Sequence, residues 1–380
     1  MESCIFYQDE EASIILLDIP RSIELAQGTP NCRILSSEAL ESPFPSVEPR
    51  SAKAKANLQE VLIEDLLLQK HLQLALDLVK ERYTGEWCLP RLTRNHSNIE
   101  DEKRDGKRRR TCEDVTRSSN EPSQKTVKEG CGEYTTLTSE VPYLTQNTSS
   151  SWVYAKVMSS NELIRMPPNS SGIGGDINET LKTFSDTAPK FDLIVLDPPW
   201  PNRSARRKQS YGIAYSTTEI HNLLSSIPIQ DHLAEDGLVA VWVTNKPVFQ
   251  EILLQEGGLF DEWGIELIEK VVWLKVTIHG DPICQLDSVW RKPYEILFVG
   301  RKKRQRVREI VHVKTRILIG VPDMHSRKPN LESVFASKVD NAKFLGLEIF
   351  ARNLTAGWWA WGNEVFKYQD PEYWHNEDHH

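Results

Sequence analysis

The sequence predicts an α/β fold built on a doubly wound sheet, and three observations carry that prediction. Apolar runs of strand length alternate with segments of helical periodicity through the second half of the chain. One run, Phe191-Asp192-Leu193-Ile194-Val195-Leu196, is apolar at nearly every position, as a parallel strand covered on both faces requires. It halts at Asp197-Pro198-Pro199-Trp200, where neither proline can donate to a sheet ladder. Proline also disfavours helical geometry in the residue before it, which holds Asp197 extended. A stiff tip results, bearing one acid, uncommitted carbonyls and an indole at the carboxyl end of a strand, where open α/β sheets bind ligands.

The 380 residues have room for one large or two modest domains. Residues 1–93 read as a smaller α+β N-terminal region, with short β-like runs at Ser3–Tyr7 and Ser13–Ile19. An amphipathic helix spans about Ala56 to Tyr83, with Leu58, Val61, Leu62, Leu66, Leu72, Ala75, Leu76 and Val79 along its apolar stripe and Gly85 as a stop. That stripe must be covered, either by the main domain or, less favoured, by a second copy. Residues 94–133 are rich in charge, Ser, Thr and Asn and read as a disordered linker. Within it Lys103-Arg104-Asp105-Gly106-Lys107-Arg108-Arg109-Arg110 is a nuclear address, an RNA-attracting arm or solvated linker charge.

Residues 134–380 form the main domain. Its approach to the tip runs through a Ser/Gly-rich turn before Asp176-Ile177. Beyond the tip, Arg203, Arg206, Arg207 and Lys208 lie in a loop with no acid between Pro201 and Tyr211. Ser216 and Glu219 match a capping box, followed by Ile220, Leu223, Leu224 and Ile227 on one helical face. Leu238–Val243 is a strand, and Pro247 opens a helix through Leu254 that stops at Gly257-Gly258. Ile265–Val276, Tyr294–Val299 and Ile317–Val321 read as strands. Lys328-Pro329-Asn330 precedes a helix with Leu331, Val334 and Phe335 inward, and Leu345–Ala351 is the last strand, with some antiparallel pairing near the end of the sheet. No G-x-G-x-x-G run is present, which argues against a dinucleotide-type phosphate loop.

Composition excludes several classes. With 46 basic and 54 acidic residues the net charge is -8, so nucleic acid could be bound only through local patches such as the ten Lys/Arg between Arg291 and Arg316. The six cysteines are scattered without metal-ligand spacing, so no metal is expected and free thiols in a reducing compartment are. No apolar run reaches the length of a membrane span and the amino end lacks a signal-peptide layout, which points to a soluble intracellular protein.

The tip suits methylation of an exocyclic amine on a nucleobase. The adenine N6 lone pair is conjugated into the ring, and two acceptors aimed at its N–H groups draw density back to nitrogen. Asp197 supplies one acceptor, the Pro198 carbonyl a second, and Trp200 a face for stacking, worth about 1–3 kcal/mol per base. The Asp197-Pro198-Pro199-Trp200 run resembles the signature of the DPPW-type N6-adenine methyltransferases, the family of the catalytic subunit that methylates adenosine in mRNA. Val271-Val272-Trp273-Leu274-Lys275, His325-Ser326-Arg327-Lys328-Pro329, Leu347-Glu348-Ile349-Phe350-Ala351-Arg352 and Trp361-Gly362-Asn363-Glu364 resemble further blocks of that family, with Glu364 standing where Gln is common. Leu286-Asp287-Ser288, Lys292-Pro293-Tyr294-Glu295 and Phe350-Ala351-Arg352-Asn353-Leu354 resemble the methyltransferase-like four branch.

The resemblance implies a Rossmann-like methyltransferase fold in circularly permuted order, with the catalytic strand ahead of the cofactor strand. It implies S-adenosylmethionine as cofactor, held by Asp176, Ile177, Asp197, Pro198, Lys328, Phe350, Arg352, Asn363 and Glu364. The catalytic set is then Asp197, Pro198, Pro199 and Trp200, and the implied substrate is adenosine, especially 2′-O-methyladenosine in U2 spliceosomal RNA. Substrate contacts are expected from Trp200, Arg203, Arg206, Arg207, Tyr211, Tyr215, Trp290 and Lys292, although the two tyrosines and Trp290 are equally suited to core packing. Two other readings stand beside this one: a DNA N6-adenine methyltransferase, and an inactive RNA-binding partner subunit. The expected setting is a nuclear monomer, with the cytoplasm as a second location, whose N-terminal region packs on its own catalytic domain. Replacing Arg206 and Arg207 by Glu should lower RNA affinity most at low salt, because phosphate contacts weaken as salt rises; equal affinity for both proteins at low and high salt would remove these arginines from the RNA path.

Overall fold

The computed structural model describes residues 3–28, 31–45, 62–94, 141–157, 162–201, 216–303, 312–335 and 344–376. The N-terminal portion folds as β1 (Ile5–Gln8), β2 (Ile14–Leu17), α1 (Ile19–Leu25), β3 (Cys32–Ile34) and α2 (Ile63–Arg82). The run expected to be one strand through Ile19 ends at Leu17, because the Asp18 carboxylate accepts from the Arg21 amide and Pro20 stands in the first turn, a cap and a helix-starting proline. The part of the expected amphipathic helix that precedes Leu62 lies outside the described residues, as does the linker with its basic cluster.

Four short strands follow, β4 (Leu144–Gln146), β5 (Val153–Lys156), β6 (Leu163–Met166) and β7 (Ser171–Gly174), then α3 (Ile177–Thr187) and β8 (Phe191–Leu196). The glycines of β7 made it read as a turn. They admit a ring, since a Cβ at Gly172 would lie 2.6 Å from Phe366. Helix α4 (Thr217–Ser225) opens with the Ser216–Glu219 capping box and buries Ile220, Leu223 and Leu224. After it come α5 (Ile229–His232), β9 (Leu233–Val243), α6 (Pro247–Leu254), α7 (Leu259–Glu262), β10 (Ile265–Lys275), β11 (Tyr294–Lys302), β12 (Lys314–Gly320) and α8 (Glu332–Phe335). The chain closes with β13 (Gly346–Ile349), β14 (Trp359–Gly362) and β15 (Trp374–Asn376).

Among the described residues eleven strands form one mixed sheet in the order β1-β2-β12-β10-β11-β9-β8-β13-β14-β7-β4. Strand β8 is central and pairs in parallel with β9 on one side and β13 on the other. Its side chains alternate between two cores. Phe191, Ile194 and Leu196 join the cluster on one face and Leu193 and Val195 that on the other, all buried. This is the both-sided burial its composition demands. The strand carrying Asp197 precedes β13 and β14 in sequence, as the permuted Rossmann-like methyltransferase order requires.

The N-terminal portion shares this sheet and core. Strand β2 pairs with β12, and Leu72, Ala75, Leu76 and Val79 of α2 belong to the same buried cluster as Ile14, Leu16, Leu274 and Val276. Only the second half of the helix is covered in this way. Leu62, Ile63, Leu66, Leu67 and Leu74 are exposed. Because Leu76 is buried in the common core, Leu76→Ala should destabilise the whole molecule by about 2–5 kcal/mol. Thermal unfolding should show one transition moved down in temperature; a separate early transition for the N-terminal portion alone would contradict the shared core.

Candidate active site

The parallel strands deliver their carboxyl ends to one edge. Asp197 follows β8, Phe350 to Arg352 follow β13, Asn363 and Glu364 follow β14, and Asp176 follows β7. Strand β11 is antiparallel to its neighbours, so its amino end, with Glu295, reaches the same edge beside Lys275 at the end of β10.

The tip after β8 is stiff for reasons visible in its hydrogen bonds. The Asp197 amide donates to the Ile349 carbonyl at 3.3 Å, the last tie to β13. The Pro198 carbonyl accepts the Trp200 amide at 2.7 Å, closing a tight turn and leaving one of its two lone pairs for a ligand. Trp200 differs from the sequence expectation. Its indole is buried, donates from Nε1 to the Trp242 carbonyl at 2.7 Å and stacks on Phe249 with centroids 5.0 Å apart. An indole N–H is costly to bury unpaired, and the Trp242 carbonyl draws the ring beneath the tip rather than out over the ligand space. It therefore braces the turn and offers no open stacking face.

A row of alternating charges crosses the edge. Lys328 Nζ lies 3.1 Å from both oxygens of Asp197 and 3.2 Å from Glu295 Oε2, while Glu295 Oε1 bonds to Lys275. Trp242 lies below Lys328, with Nζ 5.7 Å from the ring centroid, and Trp273 below Lys275, with Nζ 4.5 Å away. Burial works against both Lys328 and Glu295 as ions. For Lys328 the Asp197 and Glu295 carboxylates outweigh it and raise the pKa; for Glu295 the two lysines outweigh it and hold the carboxyl at about 2. Lys328 and Glu295 are therefore both ionised throughout the neutral range.

Next to this row lies a small cleft lined by Asp197, Lys328, Glu348, Phe350, Arg352 and Asn353, with Ile23 of α1 on its wall. Phe350 takes φ 62° and Ser326, also in the lining, φ 66°. Gly362 has φ 151°, and a Cβ there would stand 3.1 Å from Phe350 Cα. Arg352 pairs with Glu364 at 3.1 Å and donates to the Ser326 carbonyl at 3.3 Å. The donor set is of the kind a methionine-type sulfonium cofactor needs: Asp197 and Glu348 would face its cations, Arg352 would take its carboxylate or ribose hydroxyls, and Glu364 and Asn363 would take the ribose hydroxyls.

Of the expected cofactor residues, Asp197, Lys328, Phe350 and Arg352 meet at this cavity, and Glu364 joins them through Arg352. Asn363 is exposed at the neighbouring strand end. Asp176 caps α3 by accepting from the Asn178 amide at 2.9 Å, and Ile177 is buried in the core, so both have structural employment two strands away from β13. Trp290 is 36% exposed and Lys292 half-buried in the loop between β10 and β11, at the catalytic edge. Arg203, Arg206, Arg207, Tyr211 and Tyr215 lie outside the described residues. Glu348, Glu295 and Lys275 were missed as site residues. The signal for Glu348 was a lone acid inside an apolar strand, Leu347-Glu348-Ile349.

Burial, and then the Asp197 carboxylate, push the Glu348 carboxyl up to about 7, with Lys328 opposing them. An acid raised in the folded state costs stability once pH exceeds its unfolded value, and the cost is complete above its folded value. Glu348→Gln should therefore raise the melting temperature at about pH 8 and leave it almost unchanged at about pH 4.5, with a ceiling of about 3 kcal/mol at about 1.4 kcal/mol per pKa unit, lowered by solvent in the cavity. Equal gains at the two pH values, followed by scanning calorimetry, would show that Glu348 is not titrating there.

Residues 191–364 match the MT-A70 family. The chain is 38% identical to the N6-methyladenosine RNA methyltransferase MTA1 of Cryphonectria parasitica, over 97% of this chain and 94% of that protein. It is 34% identical to the MTA1 of Pyricularia oryzae, over 98% and 97% respectively. With the N(6)-adenine-specific methyltransferase METTL4 of Mus musculus the identity is 34%, over 55% of this chain and 44% of that protein. The first two alignments run through the N-terminal portion as well as the catalytic edge, and the chain belongs to the MT-A70 family of methyltransferases.

Proposed function

We propose that this protein transfers a methyl group from S-adenosylmethionine to N6 of adenine in RNA. The observation that carries the reading is the Asp197 carboxylate, fixed by Lys328 at 3.1 Å to each oxygen beside a cavity with donors for a sulfonium cofactor. RNA is favoured over DNA because two relatives similar over nearly the whole chain are named as RNA methyltransferases. The DNA reading keeps a foothold in a Caenorhabditis elegans DNA N6-methyl methyltransferase, 31% identical over 54% of this chain. The 2′-O-methyladenosine of U2 spliceosomal RNA is the substrate implied by the resemblance to methyltransferase-like four proteins. The nucleus is its compartment, consistent with the basic cluster Lys103 to Arg110.

S-adenosylmethionine supplies an electrophilic methyl on a sulfonium when bound. The chain's own contribution is placement and polarity. Lys328 and the tie from the Asp197 amide to Ile349 fix the carboxylate, so its remaining lone pairs are aimed before the base arrives. With the free lone pair on the Pro198 carbonyl they accept the two N6–H groups and keep the nitrogen lone pair available to the methyl. No covalent intermediate is needed. A base stacked in a duplex cannot reach the tip, so the adenine is single-stranded, looped or flipped. With Trp200 braced below, Trp290 is the described aromatic at this edge with exposed surface to offer a base. The protein works as a single chain, because its N-terminal portion completes its own sheet and core.

Matched RNA and DNA oligomers, the RNA with and without a 2′-O-methyl on the target adenosine, test the reading by mass spectrometry of the released nucleosides. N6-methyladenosine should form on RNA, Asp197→Ala should lower it by at least about 100-fold, the scale of losing a group that acts only in the transition state, and RNA affinity should stay within about twofold. Transfer to DNA alone would overturn the substrate, and full activity of Asp197→Ala would overturn the site.

A further inference from the structure

Lys328 belongs to a loop, residues 321–330, that the N-terminal portion grips at both ends. At one end Asp323, whose side chain is fully buried, accepts the Ser37 amide at 2.8 Å and the Ser37 hydroxyl at 3.2 Å through Oδ1, and its Oδ2 pairs with Arg327. The Arg327 guanidinium also donates to the Leu35 carbonyl at 2.9 Å and lies 4.4 Å from the Tyr368 ring centroid. Arg91 donates to the carbonyls of Val321 and Pro322, each at 2.9 Å, and to that of Ser37 at 3.4 Å. At the other end the Asn330 amide donates to Ser22 Oγ at 3.0 Å.

We propose that Asp323 and Arg327 are positioning residues for Lys328, and that Leu35, Ser37 and Arg91 of the N-terminal portion set, through them, where the lysine holds Asp197. Arg327 is the residue immediately before Lys328, and Ser326 before it adopts a left-handed conformation, so the lysine leaves the loop at a sharp bend with little backbone freedom. An ion pair as enclosed as Asp323–Arg327 tolerates no unpaired alternative, so the loop has one low-energy placement while residues 35–37 are docked. The N-terminal portion is then part of the catalytic centre without touching substrate. The inference rests on the methyl-transfer reading of the Asp197 site.

A double-mutant cycle tests it in the full chain. Asp323→Asn should lower kcat by about tenfold or more and Ser37→Ala by about threefold, with KM for RNA unchanged, since a displacement near 1 Å costs about 100-fold in a positioned reaction. In a Lys328→Met background both substitutions should change the residual rate by less than about twofold, while their effect on melting temperature stays the same in both backgrounds. Calorimetric affinity for S-adenosylmethionine gives a second readout and should show the same loss of effect once Lys328 is replaced. If Asp323→Asn does not fold, Ser37→Ala carries the cycle alone. Effects that persist in the Lys328→Met background, or a kcat for Ser37→Ala equal to that of the unaltered chain, would overturn the proposal. An unaltered chain that transfers no methyl to RNA or DNA would instead overturn the reading of the site, leaving the calorimetric cycle to decide the positioning.

Discussion

The ammonium of Lys328 is the constraint on which the edge of this sheet depends. It is one cation placed between two carboxylates, Asp197 from β8 and Glu295 from β11, and all three are largely enclosed. Charges removed from water in this way persist only when paired, and removing one member leaves the others uncompensated. Two strands separated by β9 in the sheet are therefore cross-linked electrostatically through a loop that belongs to neither. The pairing also decides what Lys328 can do. With both acids already on its ammonium it is poorly placed as the principal anchor for a ligand carboxylate, and Arg352 is better suited to that role, since its partner Glu364 lies on the strand end beyond β13.

The order of the strands explains why the same edge can serve two ligands. To one side of β8 run β13 and β14; the end of β13 lines the cleft with Phe350 and Arg352, and the end of β14 supports it through Glu364 on Arg352. To the other side run β9, β11 and β10, whose ends provide Trp242, Glu295 and Lys275. Asp197 is on the boundary between the halves. Parallel strands on both sides of β8 oblige the chain to cross over between them, so their carboxyl ends share one edge, and the connection from β10 to its antiparallel neighbour β11, residues 276–293, reaches the same edge.

Long, strongly patterned elements were legible in the sequence. Helix Pro247–Leu254 and the capping box at Ser216 have their expected limits, and β8, β9, β10 and β11 were found because apolar runs bounded by turn residues leave few alternatives. Strands β7 and β14 were not, since each has four residues, one is half glycine and the other owes its burial to partners distant in sequence. The site divides in the same way. Asp197, Lys328, Phe350 and Arg352 sit in runs whose resemblance to a known family could be read directly. Glu348 and Glu295 acquire their roles only from neighbours across the sheet, and no local pattern distinguishes a strand acid that faces solvent from one that faces a cavity. The burial of Trp200 was illegible for a related reason, because the acceptor that captures its indole is the carbonyl of Trp242, 42 positions away.

Backbone strain at the cavity shows how firmly this arrangement is held. A bulky aromatic at φ 62° is uncommon, and a residue confined to that region costs on the order of 1–3 kcal/mol. Phe350 bears this cost because its amide donates to the Trp361 carbonyl at 2.7 Å and the Ala351 amide reaches the same oxygen at 3.3 Å, continuing the pairing of β13 with β14 past the point where the strand turns away. Gly362 completes the fit, since any side chain there would press on the Phe350 backbone. Ser326 carries the same strain in the same lining, held by Arg352 on its carbonyl and by the Arg327 network that follows it. Two strained residues lining one cleft, each secured by bonds from a different part of the fold, mean that relaxing either would break packing elsewhere. The backbone at these two positions is consequently set by the fold itself, through bonds that need no ligand.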